Sequence, residues 1–256
     1  MLENRLKRRV VAGERLYGAW IGLGSENVVE LLGTAGYDFL VVDQEHSVAA
    51  LADPVPLMRA ADAAGCPTIV RAPWNDQVYL KRILDAGALS VMIPMIENRA
   101  EAEAAVAACR YPPAGRRGYA APAMRCSKFG FIKDYCQKAN DELFIIAQIE
   151  SANAAEIAAD IASVDGVDMV LIGVNDMAGT IGMLEQLDRP EVDALVRRCE
   201  AGVRKAGKPL GTVPSARKGT LDLFKDGYQL VTGAGDGPLL REAAIRDLAT
   251  IRAGMS

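Results

Sequence analysis

In the run DFLVVDQEHS, residues 38–47, an apolar stretch ends in two acids and the chain's one histidine. Four apolar residues with two valines read as a short buried strand, which sets Asp43, Glu45 and His46 at its C-terminal end. Asp43 stands three residues before His46 and could orient the imidazole, as carboxylates do for histidine bases. Other apolar runs end in the same way: Arg71 in VRAPWN, Gln148 and Glu150 in AQIES, Asp176 in IGVNDM. Glu150 and Asp176 are hard oxygen donors suited to a divalent cation such as magnesium or manganese, with water and substrate oxygens completing the shell. A guanidinium beside such a cation suits an oxyanion or a carboxylate. Plainer readings stand beside these: either acid caps the helix that follows it, Arg71 pairs with Asp43 or Glu45, and His46 is a packed, hydrogen-bonded ring.

Other chemistries find little support. No Ser or Cys sits in a strand-to-helix nucleophile turn, and no candidate strand carries the lysine that a Schiff base needs. The glycines of GAGDGP, residues 233–238, form either a phosphate cradle or a plain turn in which Asp236 caps the last helix.

The elements that must position these groups come from short apolar runs at residues 17–23, 38–43, 68–72, 89–95, 143–150, 168–173, 209–213 and 228–233. Between them lie helical stretches such as NVVELLGTAG, VYLKRILDAG and RPEVDALVRRCEAGVRKAG, several ending in the glycine that a helix C-cap prefers. Strands alternating with amphipathic helices imply parallel βαβ units, and eight of them close into a (β/α)8 TIM barrel, with a doubly wound open sheet as the alternative. All 256 residues are read as one barrel domain. In such a barrel the strand C-termini form the mouth, where the residues above converge. The irregular stretch 110–130 is long enough to suggest a functional loop.

Half the residues are apolar and about a quarter charged, as in a protein with a sizeable core, and the net charge is −4. That balance, without long basic runs, argues against nucleic acid or an anionic membrane as partner. The five cysteines are widely spaced and form no CxxC pair, so neither a disulfide framework nor a thiolate zinc site is suggested. No apolar h-region follows Met1 and no run approaches membrane-spanning length, so a cytoplasmic location is expected.

The motifs VVDQEHS, VRAPWND, YPPAGRRG, AQIES and DMVLIGVNDMAGTIG resemble, in order and spacing, the HpcH/HpaI family of class II pyruvate aldolases, over nearly the whole chain. The resemblance implies a TIM-barrel lyase that cleaves 4-hydroxy-2-oxo acids to pyruvate and an aldehyde with a divalent metal, Mg²⁺, Mn²⁺ or Co²⁺. It implies a homo-oligomer, often a hexamer, with exchanged C-terminal helices. Glu150 and Asp176 then hold the metal, Arg71 contacts the keto oxygen, and His46 with Asp43 forms the proton-transfer dyad. Gln148 lies near metal and pyruvate, and the backbone at Gly173, Val174 and Asn175 holds the pyruvate carboxylate. Asp85 reaches a neighbouring subunit's mouth, while Tyr119, Val213 and Trp20 line the aldehyde pocket. Departures from the family pattern fall at Gln44, Val174, Ala178, Tyr119 and Val213, and bear on which aldehyde is taken. Two rivals are a related lyase acting on oxaloacetate or an acyl-CoA, with Arg116, Arg117, Arg125 and Lys128 as a groove for CoA phosphates, and a non-catalytic barrel with a binding role.

Overall fold

A computed structural model describes residues 2–47 and 54–255. Eight strands close into a barrel in chain order: β1 (Leu16–Ile21), β2 (Phe39–Asp43), β3 (Thr68–Arg71), β4 (Ser90–Ile93), β5 (Phe144–Ile149), β6 (Met169–Ile172), β7 (Leu210–Thr212) and β8 (Leu230–Gly235). Every neighbouring pair is parallel, β8 closing on β1 with a register shift between Gly18 and Ala19. The eight expected strands are all present, and the open-sheet alternative is excluded by closure.

Alternation along each strand sorts side chains into two layers. Phe39, Val41, Ile69, Met92, Phe144, Ile146, Met169 and Leu171 fill the barrel interior, floored by Leu6 and Val10 of the first helix, Arg5–Val11. Leu40, Val42, Val70, Ile145, Ile149, Val170 and Ile172 face outward into the larger core beneath the helices. The interior is filled to the point that a Cβ on Gly18 would lie 2.3 Å from the Phe39 ring. Barrel and site are therefore separate layers of one tube: apolar side chains pack the lower part, and the next inward position on each strand opens at the mouth.

The helices start and stop on the chemistry of their ends. Asp76 and Asn98 accept from the third amide of the helices Gln77–Asp85 and Arg99–Cys109, and Gly36, at φ 101°, ends Glu26–Ala35. The segment ANAAEIAADIAS forms two short helices, Ala152–Glu156 and Ala158–Ala162, because Ile157 departs from helical geometry at φ −112°, ψ 21°. The last helix, Asp236–Met255, buries only its first residue. No described helix is long and apolar enough to cross a membrane.

Candidate active site

The strand period that fills the barrel also builds the mouth. Asp43 follows Phe39 and Val41 in the inward series of β2, and Arg71 follows Ile69 on β3. Gln148 and Glu150 follow Phe144 and Ile146 on β5, and Trp20 follows Leu16 on β1. Asp43 and Arg71 are also register partners across β2 and β3. Their side chains meet as a two-pronged ion pair, with Arg71 Nε 2.9 Å from Asp43 Oδ1 and Nη2 2.7 Å from Oδ2. The guanidinium stacks on the Trp20 ring, 4.4 Å from its centroid, and its Nη1 lies 3.1 Å from Glu45 Oε2. Burial on its own would raise the Asp43 pKa, but the hydrogen bonds and charge of Arg71 hold it below the usual carboxylate value. The plainer reading of Arg71, pairing with both acids, is thus realised, and it leaves the cation fixed at the mouth.

The expected Asp43–His46 ring contact is corrected by this arrangement. Asp43 Oδ1 accepts from Arg71 Nε and from the backbone N–H groups of Glu45, at 3.0 Å, and His46, at 3.3 Å, and Oδ2 accepts from Arg71 Nη2, so Asp43 meets His46 through its backbone N–H rather than its ring. The imidazole is largely exposed, and the carboxylate nearest to it belongs to Glu45, 3.7 Å from Nε2. Burial raises the Glu45 pKa against the attraction of Arg71 and His46, with Asp43 and Asp176 adding to the rise.

Glu150 is buried, with Oε1 accepting from the N–H of Met95 at 2.7 Å and Oε2 accepting from the Gln148 amide. Met95 holds that N–H in place from a left-handed backbone, φ 51°, a conformation that costs a non-glycine residue about 1–2 kcal/mol. Burial pushes the Glu150 pKa up to about 7; the two hydrogen bonds oppose the rise, and the charges of Glu45 and Asp176 add to it. Asp176 lies in the first turn of the helix Val174–Gly179, exposed, beside Val174, which is buried, and Asn175, which is exposed. Gly173 packs so closely on Glu150 that a Cβ there would fall 2.7 Å from Oε2.

The charge of Asp176 raises the pKa of both Glu45 and Glu150, and carboxylates gathered in this way, with Glu150 buried, are suited to a cation. No described group of three or more His, Cys, Asp or Glu side chains makes a complete cage, so the chain itself offers Glu150 and Asp176. Gln148 Oε1, buried and without a hydrogen-bond partner, adds a further oxygen beside them. These residues fit a divalent ion that keeps positions for substrate.

Other expected groups lie elsewhere. Val213 follows β7 at the mouth, half-buried. Asp85 ends the helix Gln77–Asp85 and Tyr119 lies between the helix Arg99–Cys109 and β5; both segments lead into strands and so lie at the end of the barrel away from its own mouth. Asp85 is held there by the fully buried Arg117, 2.7 Å away, and Tyr119 meets Tyr111 edge-on at 6.2 Å. Arg117, and Arg125, which binds Asp62 at 2.7 Å, are therefore committed to the fold, which removes two of the four cations proposed for CoA phosphates. The glycine-rich turn after β8 is no phosphate cradle: the Asp236 carboxylate itself accepts from the N–H groups of Gly22, Leu23 and Gly237 at 2.8–3.1 Å.

Sequence reasoning did not find the role of Met95, since a left-handed non-glycine residue leaves no signature in composition or spacing. Glu45 was visible as an acid beside His46, but its direction could not be told from spacing.

Comparison with known proteins places this geometry among relatives. The family described as HpcH/HpaI aldolase/citrate lyase matches residues 16–243. The chain is 39% identical to a hydroxypyruvate/pyruvate aldolase of Sagittula stellata, over 95% of this chain and 96% of the other. It is 36% identical to a 4-hydroxy-2-oxo-heptane-1,7-dioate aldolase of Shigella sonnei, over 95% and 93%. Among solved structures, an HpcH/HpaI aldolase/citrate lyase family protein from Burkholderia cenocepacia J2315 superposes with a TM-score of 0.92 at 36% identity, covering 97% of this chain and 99% of that one.

Proposed function

The chain belongs to the HpcH/HpaI aldolase/citrate lyase family, and from that premise we propose that it cleaves 4-hydroxy-2-oxo acids to pyruvate and an aldehyde, and runs the reverse addition. It is a carbon–carbon lyase of the aldolase kind, like its relatives. The observation that carries the substrate assignment is the buried pair of opposite charge at one mouth, the Arg71 guanidinium on one side and the Glu150 carboxylate on the other.

Glu150 and Asp176 would hold the divalent ion, Mg²⁺, Mn²⁺ or Co²⁺, which when bound supplies Lewis acidity toward the 2-keto oxygen. Arg71 has five N–H donors, of which Asp43 engages two, and donates from the remainder to the same oxygen. Amides in the first turn of Val174–Gly179, at Val174 and Asn175, take the substrate carboxylate. His46 removes the proton of the C4 hydroxyl. The C4–O electrons then form the aldehyde carbonyl, the C3–C4 bond breaks, and its electron pair moves to C3 and the 2-oxygen as an enolate, held by Arg71. Return of a proton to C3 completes pyruvate. Trp20 and Val213 border the aldehyde side.

The last helix supports assembly as a homo-oligomer, a hexamer in our reading. Leu240, Ile245, Leu248 and Ile251 are each more than half exposed, an apolar surface that a second copy would cover. Asp85 and Tyr119, turned away from this chain's own mouth, would then serve a neighbour's.

The test is pyruvate release from 4-hydroxy-2-oxo acids of several chain lengths, with protein stripped by EDTA and then given Mg²⁺, Mn²⁺ or Co²⁺. Turnover restored by metal and absent in Glu150→Ala is the expected result. Pyruvate formation untouched by chelation would overturn the metal assignment, and turnover of oxaloacetate alone would move the chain to a decarboxylating reading.

A further inference from the structure

The strand pairing that builds the mouth stops short of the carboxylate that matters most there. The β4–β5 ladder ends at Ile93 and Ala147, yet the Met95 N–H beyond it must still meet Glu150 Oε1. Two more contacts carry these loops past the ladder. The Ile96 N–H donates to the Gln148 carbonyl at 3.1 Å, and the Ser151 hydroxyl donates to Glu97 Oε2 at 2.6 Å, the short distance expected of a hydroxyl on a carboxylate. Ser151 is the neighbour of Glu150, and its oxygen also accepts from the Ala154 N–H at 3.0 Å, which makes it the N-cap of the helix Ala152–Glu156. Glu97 is anchored on its own side, its N–H donating to Glu101 Oε2 at 2.8 Å in the first turn of Arg99–Cys109. Its Oε1 is buried with no hydrogen-bond partner. A bare buried carboxylate oxygen destabilises the fold, which sets Glu97 apart from a residue that serves packing alone.

We infer that Glu97 is a positioning residue for Glu150, a strap from the loop after β4 to the loop after β5 that fixes the direction of the metal-ready carboxylate. This rests on the metal assignment above. Met95, at φ 51°, holds a backbone conformation that a non-glycine residue leaves unless its surroundings fix it on both sides. On one side stands β4. On the other stand the Ile96 and Glu97 contacts, and of these Glu97 alone reaches the residue next to Glu150. Without the strap the turn relaxes, the Met95 N–H moves off Oε1, and the Glu150 carboxylate is left to turn about its bond from Gln148. Ser151 has a single hydroxyl hydrogen. Because Glu97 takes it, a lone pair is free for the Ala154 N–H, so strap and helix cap form one chain of hydrogen bonds through Ser151. What Glu97 supplies to Glu150 is therefore geometry, delivered through Ser151 and Met95, rather than charge.

Calorimetric titration of the EDTA-stripped protein with Mn²⁺ gives the main readout, and deuterium exchange at the Met95 amide the second. Glu97→Met keeps the side chain's length and removes the acceptor. Its Mn²⁺ affinity should fall about tenfold, the low end of the range for partners that stand behind a metal ligand, and its Met95 amide should exchange faster. Glu97→Gln keeps an oxygen for the Ser151 hydroxyl and should lose at most about threefold, since a neutral acceptor preserves the bond. Ser151→Ala has already lost the donor, so adding Glu97→Met to it should lower the affinity no further. Wild-type affinity in Glu97→Met overturns the inference. So does a loss in Glu97→Gln as large as in Glu97→Met, which would make charge the cause, or a full further loss in the double variant. If Glu97→Met does not fold, Ser151→Ala decides, and wild-type affinity there overturns the strap. Should the wild type bind no Mn²⁺, the metal assignment falls, and Met95 exchange still tests the strap, an unchanged rate in Glu97→Met overturning it.

Discussion

Glu150→Gln in the metal-free protein should raise stability at pH 8 and abolish function. The wild-type carboxyl has a folded pKa of about 7 against an ordinary value of 4.5, with burial as the leading cause. Its sign follows from proton counting. Between these two values the folded state binds more protons than the unfolded state, so stability falls as pH rises through that window and the full penalty stands above pH 7. A gap of roughly 2.5 units corresponds to about 3 kcal/mol, and for a chain of this size that is roughly 6–12 °C in Tm. Glu150→Gln removes the charge while keeping the shape. Its new amide nitrogen has an acceptor at hand, because Gln148 Oε1 is buried without a partner and a flip of that amide presents it. Urea unfolding in EDTA at pH 5, 6, 7 and 8 would measure both proteins. The two curves should lie close at pH 5 and separate by up to about 3 kcal/mol at pH 8, with the variant more stable. Saturating Mg²⁺ should reverse that order, since only the wild type binds the ion, and below pH 7 protons should compete with it. A gap that is the same at pH 5 and pH 8 would refute burial of an ionised Glu150 as its cause.

Three further outcomes are expected. Gly173→Ala places a Cβ 2.7 Å from Glu150 Oε2, so Mn²⁺ affinity by calorimetry should fall at least about tenfold with circular dichroism unchanged; unaltered affinity would mean that Glu150 is not the ligand. Arg71→Lys loses the two-pronged bond to Asp43 and the stacking on Trp20, and should lower kcat/KM about 100-fold or more; a loss below about threefold would show that a point charge suffices. Arg117→Met leaves Asp85 without its partner and should cost about 3 kcal/mol in urea unfolding, and Asp85→Asn added to it should recover part of that loss.

Why the barrel could be read in the sequence and part of the site could not is a matter of range. Strand and helix periods are local: Phe39-Leu40-Val41-Val42 must send alternate side chains to two different cores, and eight such runs have one parallel closed solution once helices cover them. The same alternation fixes which polar residues face the mouth, so Asp43, Arg71, Gln148 and Glu150 could be named from their distance past an apolar run. Partner choice is set by register between strands. Asp43 stands closer in sequence to His46 than to Arg71, yet β2 and β3 pair Asp43 with Arg71, and a bidentate bond between buried groups outweighs a contact to an exposed ring.

That register also sets how the acids share one arginine. Asp43 grips Arg71 with both oxygens, and Glu45, two residues farther along, stands on the guanidinium's other side with Oε2 3.1 Å from Nη1. Glu150, on the far side, is held by neutral donors only, Met95 and Gln148, so its charge is left for a cation. Had an arginine paired with Glu150, its pKa would be low and its affinity for a metal weak. The site therefore works by keeping its cationic side chain and its metal-ready carboxylate apart, each on its own strand, with the substrate's keto oxygen as the point where they meet.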